Sequence, residues 1–274
     1  MRPLLALAFI PALLCAAPAL DIVNPVLSLT EGNVSDPTGT QYTAGEILYF
    51  NCHIAGFQKS EDEQVHVNYT IDAVDPNGVP LMEPAKDDIA VEVTSHDKEW
   101  LPKAEARIVL PPLAMPGTYK VVVHAQDLLA KTSAEKSFPF SVTGLAVEPS
   151  DSLIVRDFHF YRSETDLHPM EKVVYRPGNS LWARFSIIGY KYGPKNKIDV
   201  SYVTSVFAGD KQLWKQPEPA VEQSESFYPK RYIPANFNLD LQKNIAPGVY
   251  TIAVEVTDAV GKQTYVLKQD FTVE

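Results

Sequence analysis

The chain has 274 residues, 45% hydrophobic and 21% charged, a globular composition that excludes a disordered tail. Its 34 acidic side chains outnumber 24 basic ones, giving a formal charge of -10; such a surface repels phosphate backbones, so no nucleic-acid partner is expected. With 22 Pro, 13 Tyr and 12 Phe, the residues favour strands and turns over helix bundles.

The first residues read as an export address. Arg2 supplies a short positive region, residues 4–14 are an apolar stretch too short to span a bilayer as a helix, and Ala17-Pro18-Ala19 is a small-x-small cleavage site. A signal peptide is expected over 1–19, leaving Leu20 as the new N-terminus and a secreted or periplasmic location. Leu14 precedes Cys15 where lipid attachment needs a small residue, so a lipoprotein is the lesser reading. No later segment is apolar enough to cross a membrane, so the mature chain is expected to lack a transmembrane segment. Cys52 is then the only cysteine, and no intramolecular disulfide can form. Asn33-Val34-Ser35 and Asn68-Tyr69-Thr70 match the glycosylation pattern.

From Tyr42 onward the chain repeats itself. Shifted by 133 positions, Tyr42-Thr43-Ala44-Gly45 falls on Tyr175-Arg176-Pro177-Gly178, Ile54 on Ile187, Gly56 on Gly189, and Val65 to Tyr69 on Ile198 to Tyr202. After a middle segment the shift is 131, placing Pro116-Gly117-Thr118-Tyr119 on Pro247-Gly248-Val249-Tyr250, Asp127 on Asp258 and Phe140-Ser141-Val142 on Phe271-Thr272-Val273. Conserved order and spacing imply internal duplication, with domains expected at 20–145 and 146–274 and linker chemistry at Gly144, Pro149 and Ser150.

Within each copy the hydrophobic period is two. Leu48, Phe50, Cys52 and Ile54 alternate with Tyr49, Asn51 and His53, and Leu181, Ala183, Phe185 and Ile187 alternate with Trp182, Arg184 and Ser186. The same alternation marks 65–71, 119–125, 138–142 and 250–256, and strands are also expected at 106–110, 153–160 and 237–241. That gives about seven short strands per copy. The segments near 83–105 and 216–236 read as long loops, each with an aromatic-aliphatic-Pro triplet, Trp100-Leu101-Pro102 and Tyr232-Ile233-Pro234, expected to pack an aromatic across one end of the core. The expected fold class is all-β, with two tandem antiparallel sandwiches and no α/β character.

The run Pro-Gly-x-Tyr-x-(Val/Ile)-x-Val-x-x-x-Asp, then Lys and a closing Phe-x-Val, resembles the last two strands of bacterial immunoglobulin-like and fibronectin-III-like modules. The resemblance implies that Tyr119 and Tyr250 form tyrosine corners whose hydroxyls return to nearby backbone. It is a likeness of fold. Phe185 replaces Cys52 in the second copy, and Tyr69 and Tyr202 stand where antibody-type domains carry a Trp.

Signatures of catalysis are missing from the sequence: it has no Gly-x-Ser-x-Gly elbow, no His-Glu-x-x-His, no phosphate-binding glycine loop and no Cys pair. No cofactor and no enzymatic activity are expected. Cys52 shares the parity of Leu48 and Ile54 and reads as an inert core thiol, and Asp75-Pro76-Asn77-Gly78 reads as a hairpin turn rather than a calcium loop. His66 and His124 fall on outward positions of strands expected to be neighbours, an arrangement that offers a metal site if His96 or Asp97 adds a ligand. Tyr49 and Trp182 occupy equivalent outward positions, and Tyr190 and Tyr192 lie near expected loops; these four form the candidate binding surface. The expected function is a non-catalytic binding or structural protein engaging another envelope or extracellular protein. The alternatives are a carbohydrate-binding accessory protein acting on polysaccharide, and a metal carrier or enzyme using the surface histidines.

Overall fold

The computed structural model describes residues 19–32, 41–94 and 96–274. The expected signal peptide except its last residue, Cys15 within it, and the Asn33 sequon lie outside the described residues. The first half runs through β1 (Asp21–Ser28), β2 (Gln41–Thr43), β3 (Ile47–Ala55), β4 (Gln64–Val74), β5 (Ala85–Glu92), β6 (Lys103–Val109), β7 (Gly117–Asp127) and β8 (Thr132–Thr143). The second contains β9 (Ile154–Tyr161), β10 (Val174–Tyr175), β11 (Ser180–Ile188), β12 (Ile198–Ala208), β13 (Lys211–Lys215), β14 (Ala220–Ser224), β15 (Ile233–Asp240), β16 (Gly248–Asp258) and β17 (Gln263–Val273). The fold is all-β; among the described residues the helical content is one 3-10 turn at Pro194–Asn196.

Four sheets result, ordered β1-β3-β6 and β2-β8-β7-β4-β5 in the first half, then β9-β11-β15 and β10-β17-β16-β12 in the second. Strand β12 carries two short partners along its free edge: β14 beside residues 198–202 and β13 beside 205–208. Pairing is antiparallel except where β2 meets β8 and β10 meets β17, short parallel pairs that differ from the purely antiparallel expectation. These begin where the chain leaves one sheet and joins the edge of the other before entering its next strand.

Alternation does what the pattern demands. Leu48, Phe50, Cys52 and Ile54 meet Val65, Val67, Ile71, Tyr119 and Val121 in one buried core, so both sheets of the first half share it. In the second half Leu181, Phe185, Ile187, Ile198, Val200, Tyr250 and Ile252 do likewise. Tyr69 and Tyr202 tie the sheets together by hydrogen bonds: the Glu105 amide donates to the Tyr69 hydroxyl at 3.3 Å, and the Tyr202 hydroxyl donates to the Asn236 carbonyl at 2.6 Å. Burial pushes the Cys52 thiol up to about 12 from 9.0, in keeping with an inert core side chain.

The backbone repeats as the side chains do. Irregular register at β1 and β9 coincides with Asn24 and Asp157, each with φ near +50° (51° and 52°), 133 positions apart. Gly56 and Gly189 have φ of +75° and +74°, and a Cβ on either would sit 2.2 Å from the Ala19 carbonyl oxygen or 1.9 Å from that of Ser152. The tyrosine corners form as the resemblance implies, Tyr119 donating to the Met115 carbonyl and Tyr250 to that of Ala246, both at 2.7 Å. Asp127 and Asp258 are fully buried. Asp127 accepts from the amides of Gln58, Leu129 and Ala130, while Asp258 accepts from those of Lys191 and Gly261 and from the Gln263 side chain.

The two segments read as long loops contain strands. Strand β5 lies within 83–105, and β14 falls inside 216–236. Lys86, Asp87, Asp88 and Glu92 expose β5 as a charged sheet edge, hiding the weaker signal of half-buried Ile89 and Val91. The aromatic triplets also differ from expectation. Trp100 is 36% exposed and meets Phe57 edge-on at 6.1 Å, whereas Tyr232 is buried with Val147 and Ile188 outside the main core of its half.

Gly189→Ala is expected to destabilise by well over ~1 kcal/mol, combining positive φ with a clash against the Ser152 carbonyl oxygen. Gly56→Ala faces Ala19, which the expected signal-peptide cleavage removes, so in the processed chain it carries the positive-φ cost alone, about 1 kcal/mol. Tyr119→Phe and Tyr250→Phe each lose one hydrogen bond, about 1 kcal/mol. Urea denaturation of the four variants checks both. Alkali supplies a second test, because burial raises the Tyr175 hydroxyl from 10.0 to about 12. Its share of the stability is complete below pH 10 and is lost as pH rises toward 12, so unfolding and tyrosinate absorbance should climb together in that window.

Candidate functional site

Tyr190 and Tyr192 follow β11 in a segment held against the loop between β14 and β15. Both hydroxyls donate to the Lys230 carbonyl, Tyr190 at 2.6 Å, and their rings meet edge-on at 5.7 Å. Tyr190 is buried, and burial followed by the neighbouring Tyr192 pushes its hydroxyl well above the ordinary value. Tyr192 remains 39% exposed. Together they line one wall of a cleft of about 450 Å³ between the halves of the chain, with Tyr119, Pro76, Tyr228 and Arg231 also around it.

At the back of this cleft lies Asp75, 2% exposed, at the hairpin turn after β4. Its Oδ1 accepts from the amides of Asn77 and Val79, both at 2.8 Å, which confirms the turn expected from Asp75-Pro76-Asn77-Gly78. Oδ2 points across to the second half, accepting from the Tyr228 hydroxyl and Arg231 Nη2, both at 3.0 Å. Arg231 has further guanidinium donors and is about one-third exposed at the cleft. The ring of Tyr228 belongs to the buried core of the first half.

Sequence reasoning did not assign Tyr228 and Arg231, and took Asp75 for a turn former alone. Tyr228 and Arg231 stand in a loop without period-two signal. One clue was present: the counterpart of Asp75 is Ala208, a break in an otherwise shared pattern.

The other candidates lie elsewhere. Tyr49 and Trp182 are half-buried on the outer faces of the three-stranded sheets, each on the central strand. Tyr49 borders a depression of about 470 Å³ with Arg107, Lys103 and Glu105. Trp182 sits between Tyr161 and Asn238 in the register, and the next residue on its face, Arg184, covers the Tyr161 ring at 4.3 Å while donating to the carbonyls of Glu164 and Asp166. The four aromatics therefore do not form one surface.

His66 and His124 are not brought together. His124 pairs with Thr70, so His66 is four positions further along β4, about 13 Å away. The expected neighbour relation assumed a register that the turn lengths do not produce. Each imidazole instead meets a carboxylate, His66 with Asp88 at 2.7 Å and His124 with Glu135 at 3.3 Å. Among the described residues no group of three or more His, Cys, Asp or Glu is placed to hold a metal ion.

One cluster has the composition of an activated nucleophile. Lys230 Nζ lies 3.0 Å from Ser224 Oγ, but also 2.5 Å from Glu222 Oε1. The bond to Lys230 holds the Glu222 carboxyl below its ordinary range, and an ammonium facing a carboxylate has no lone pair with which to take the serine proton. This is an ion pair that braces the loop between β14 and β15. No family model matches the chain, and no curated protein matches it.

The two tyrosines should separate in a stability assay. Tyr190→Ala empties a buried aromatic site and is expected to cost about 3–5 kcal/mol, whereas Tyr192→Ala removes a part-exposed ring and should cost less than half of that. Urea midpoints measured side by side check the ordering.

Proposed function

We propose that the chain is a secreted or periplasmic, non-catalytic binding protein made of two tandem immunoglobulin-like domains, 20–145 and 146–274, related by internal duplication. The repeated bulges, glycine contacts, tyrosine corners and buried aspartates at constant offsets support the duplication. The partner is another envelope or extracellular protein. The observation that carries this reading is the cleft at which Tyr192 and Arg231 remain accessible over buried Tyr119, Tyr190 and Tyr228, since Tyr and Arg are the residue types that concentrate binding energy at protein interfaces. Side-chain anchoring in the cleft is favoured over strand addition at β5, whose edge Lys86, Asp87 and Asp88 protect by charge. Among the described residues no helix is long and apolar enough to cross a membrane.

A second reading, polysaccharide binding, draws on Trp182 with Asn238 beside it on an outer sheet face. Immobilised full chain incubated with native envelope fractions distinguishes them. A stoichiometric protein partner whose affinity falls about tenfold or more on Tyr192→Ala supports the first. Retention indifferent to every cleft substitution, together with tryptophan fluorescence that responds to polysaccharide, overturns it in favour of the second.

A further inference from the structure

The loop between β14 and β15 is bound tightly to its own half. Asn196 Nδ2 donates to the carbonyls of Ser226 and Phe227, Ser226 Oγ donates to the Tyr228 carbonyl, Tyr190 and Tyr192 both reach Lys230, and Lys230 pairs with Glu222. From this braced loop Tyr228 and Arg231 cross to the other half and converge on one oxygen of Asp75. Asp75 is equally fixed on its own side, because its second oxygen closes the turn that joins β4 to Leu81 and β5. An unbroken run of hydrogen bonds thus leads from the frame of one half to the frame of the other.

The connecting residues 144–153 contain no strand and by themselves allow the halves to swing. A small apolar group, Val147, Ile188 and Tyr232 with Leu113, Met115 and Ile154 against it, lies beside the connection. It spans the halves but has no directional bond. Direction comes from Asp75: a carboxylate 2% exposed accepts bonds only from donors at set positions, and both of its cross-half donors are anchored.

We propose that Asp75, Tyr228 and Arg231 form a latch that fixes the angle between the halves and the width of the cleft, so that the protein works as one rigid body. The counterpart of Asp75 in the second half is Ala208, so the carboxylate that receives both cross-half donors is particular to the first half. The latch stands independently of what the cleft binds.

Small-angle X-ray scattering and limited proteolysis of the full chain test it. Wild type should scatter as a single rigid particle and resist cleavage within 144–153. Asp75→Asn keeps an oxygen for the turn but removes the charge, and Arg231→Met keeps the aliphatic stem; each should enlarge the maximum dimension and speed cleavage of the connection by about tenfold or more. Tyr228→Phe retains the ring in the first core and loses only the hydroxyl, so it should give a smaller change in the same direction. Combining Asp75→Asn with Arg231→Met should add little to either alone. Scattering and cleavage unchanged in Tyr228→Phe and Arg231→Met, with near-ultraviolet dichroism intact, would overturn the latch even if Asp75→Asn unfolds.

Discussion

A carboxylate taken out of water must be given hydrogen-bond donors in its place, and three buried aspartates show how much of this protein is arranged around that requirement. Asp127 and Asp258 each draw in a loop from the far end of β3 or β11, through the amides of Gln58 and Lys191, and so close one end of each half. Asp75 draws in side chains as well as amides, and the side chains come from the other half of the chain. The same physical demand that shapes a turn in one place joins two bodies in another.

The sheets supply a stiff frame for these bonds. Alternate side chains fill the space between paired sheets, and Tyr69 and Tyr202 fasten one sheet to the next by their hydroxyls. Outside that frame the halves differ. The second uses Phe185 where the first has Cys52, stacking it on Phe158 at 5.6 Å, and the loop between β14 and β15 carries a reaching tyrosine and arginine. Two like frameworks with unlike loops let one fold present different surfaces without changing its core.

Much of the architecture could be read from the residues because burial on alternate positions and the Pro-Gly-x-Tyr corners are local signals with strict spacing. The offsets of 133 and 131 locate not only strands but the bulges at Asn24 and Asp157. Strands β5 and β14 were hidden because edge strands need only one bonded neighbour and tolerate charge, which erases the hydrophobic period. The histidine pair failed for a different reason: parity tells which face a side chain occupies, whereas register depends on turn geometry, and a shift of four residues leaves parity untouched. Tyr190 and Tyr192 were found as aromatics near a loop. What could not be read was their setting, since Asp75 and Arg231 are separated by 156 residues and meet only in three dimensions.

Tyr228 completes the core of a body whose own strands end at Thr143. Taking the second half away would leave an aromatic-sized gap in the interior of the first, so the two share part of one interior and the first is not a self-sufficient module.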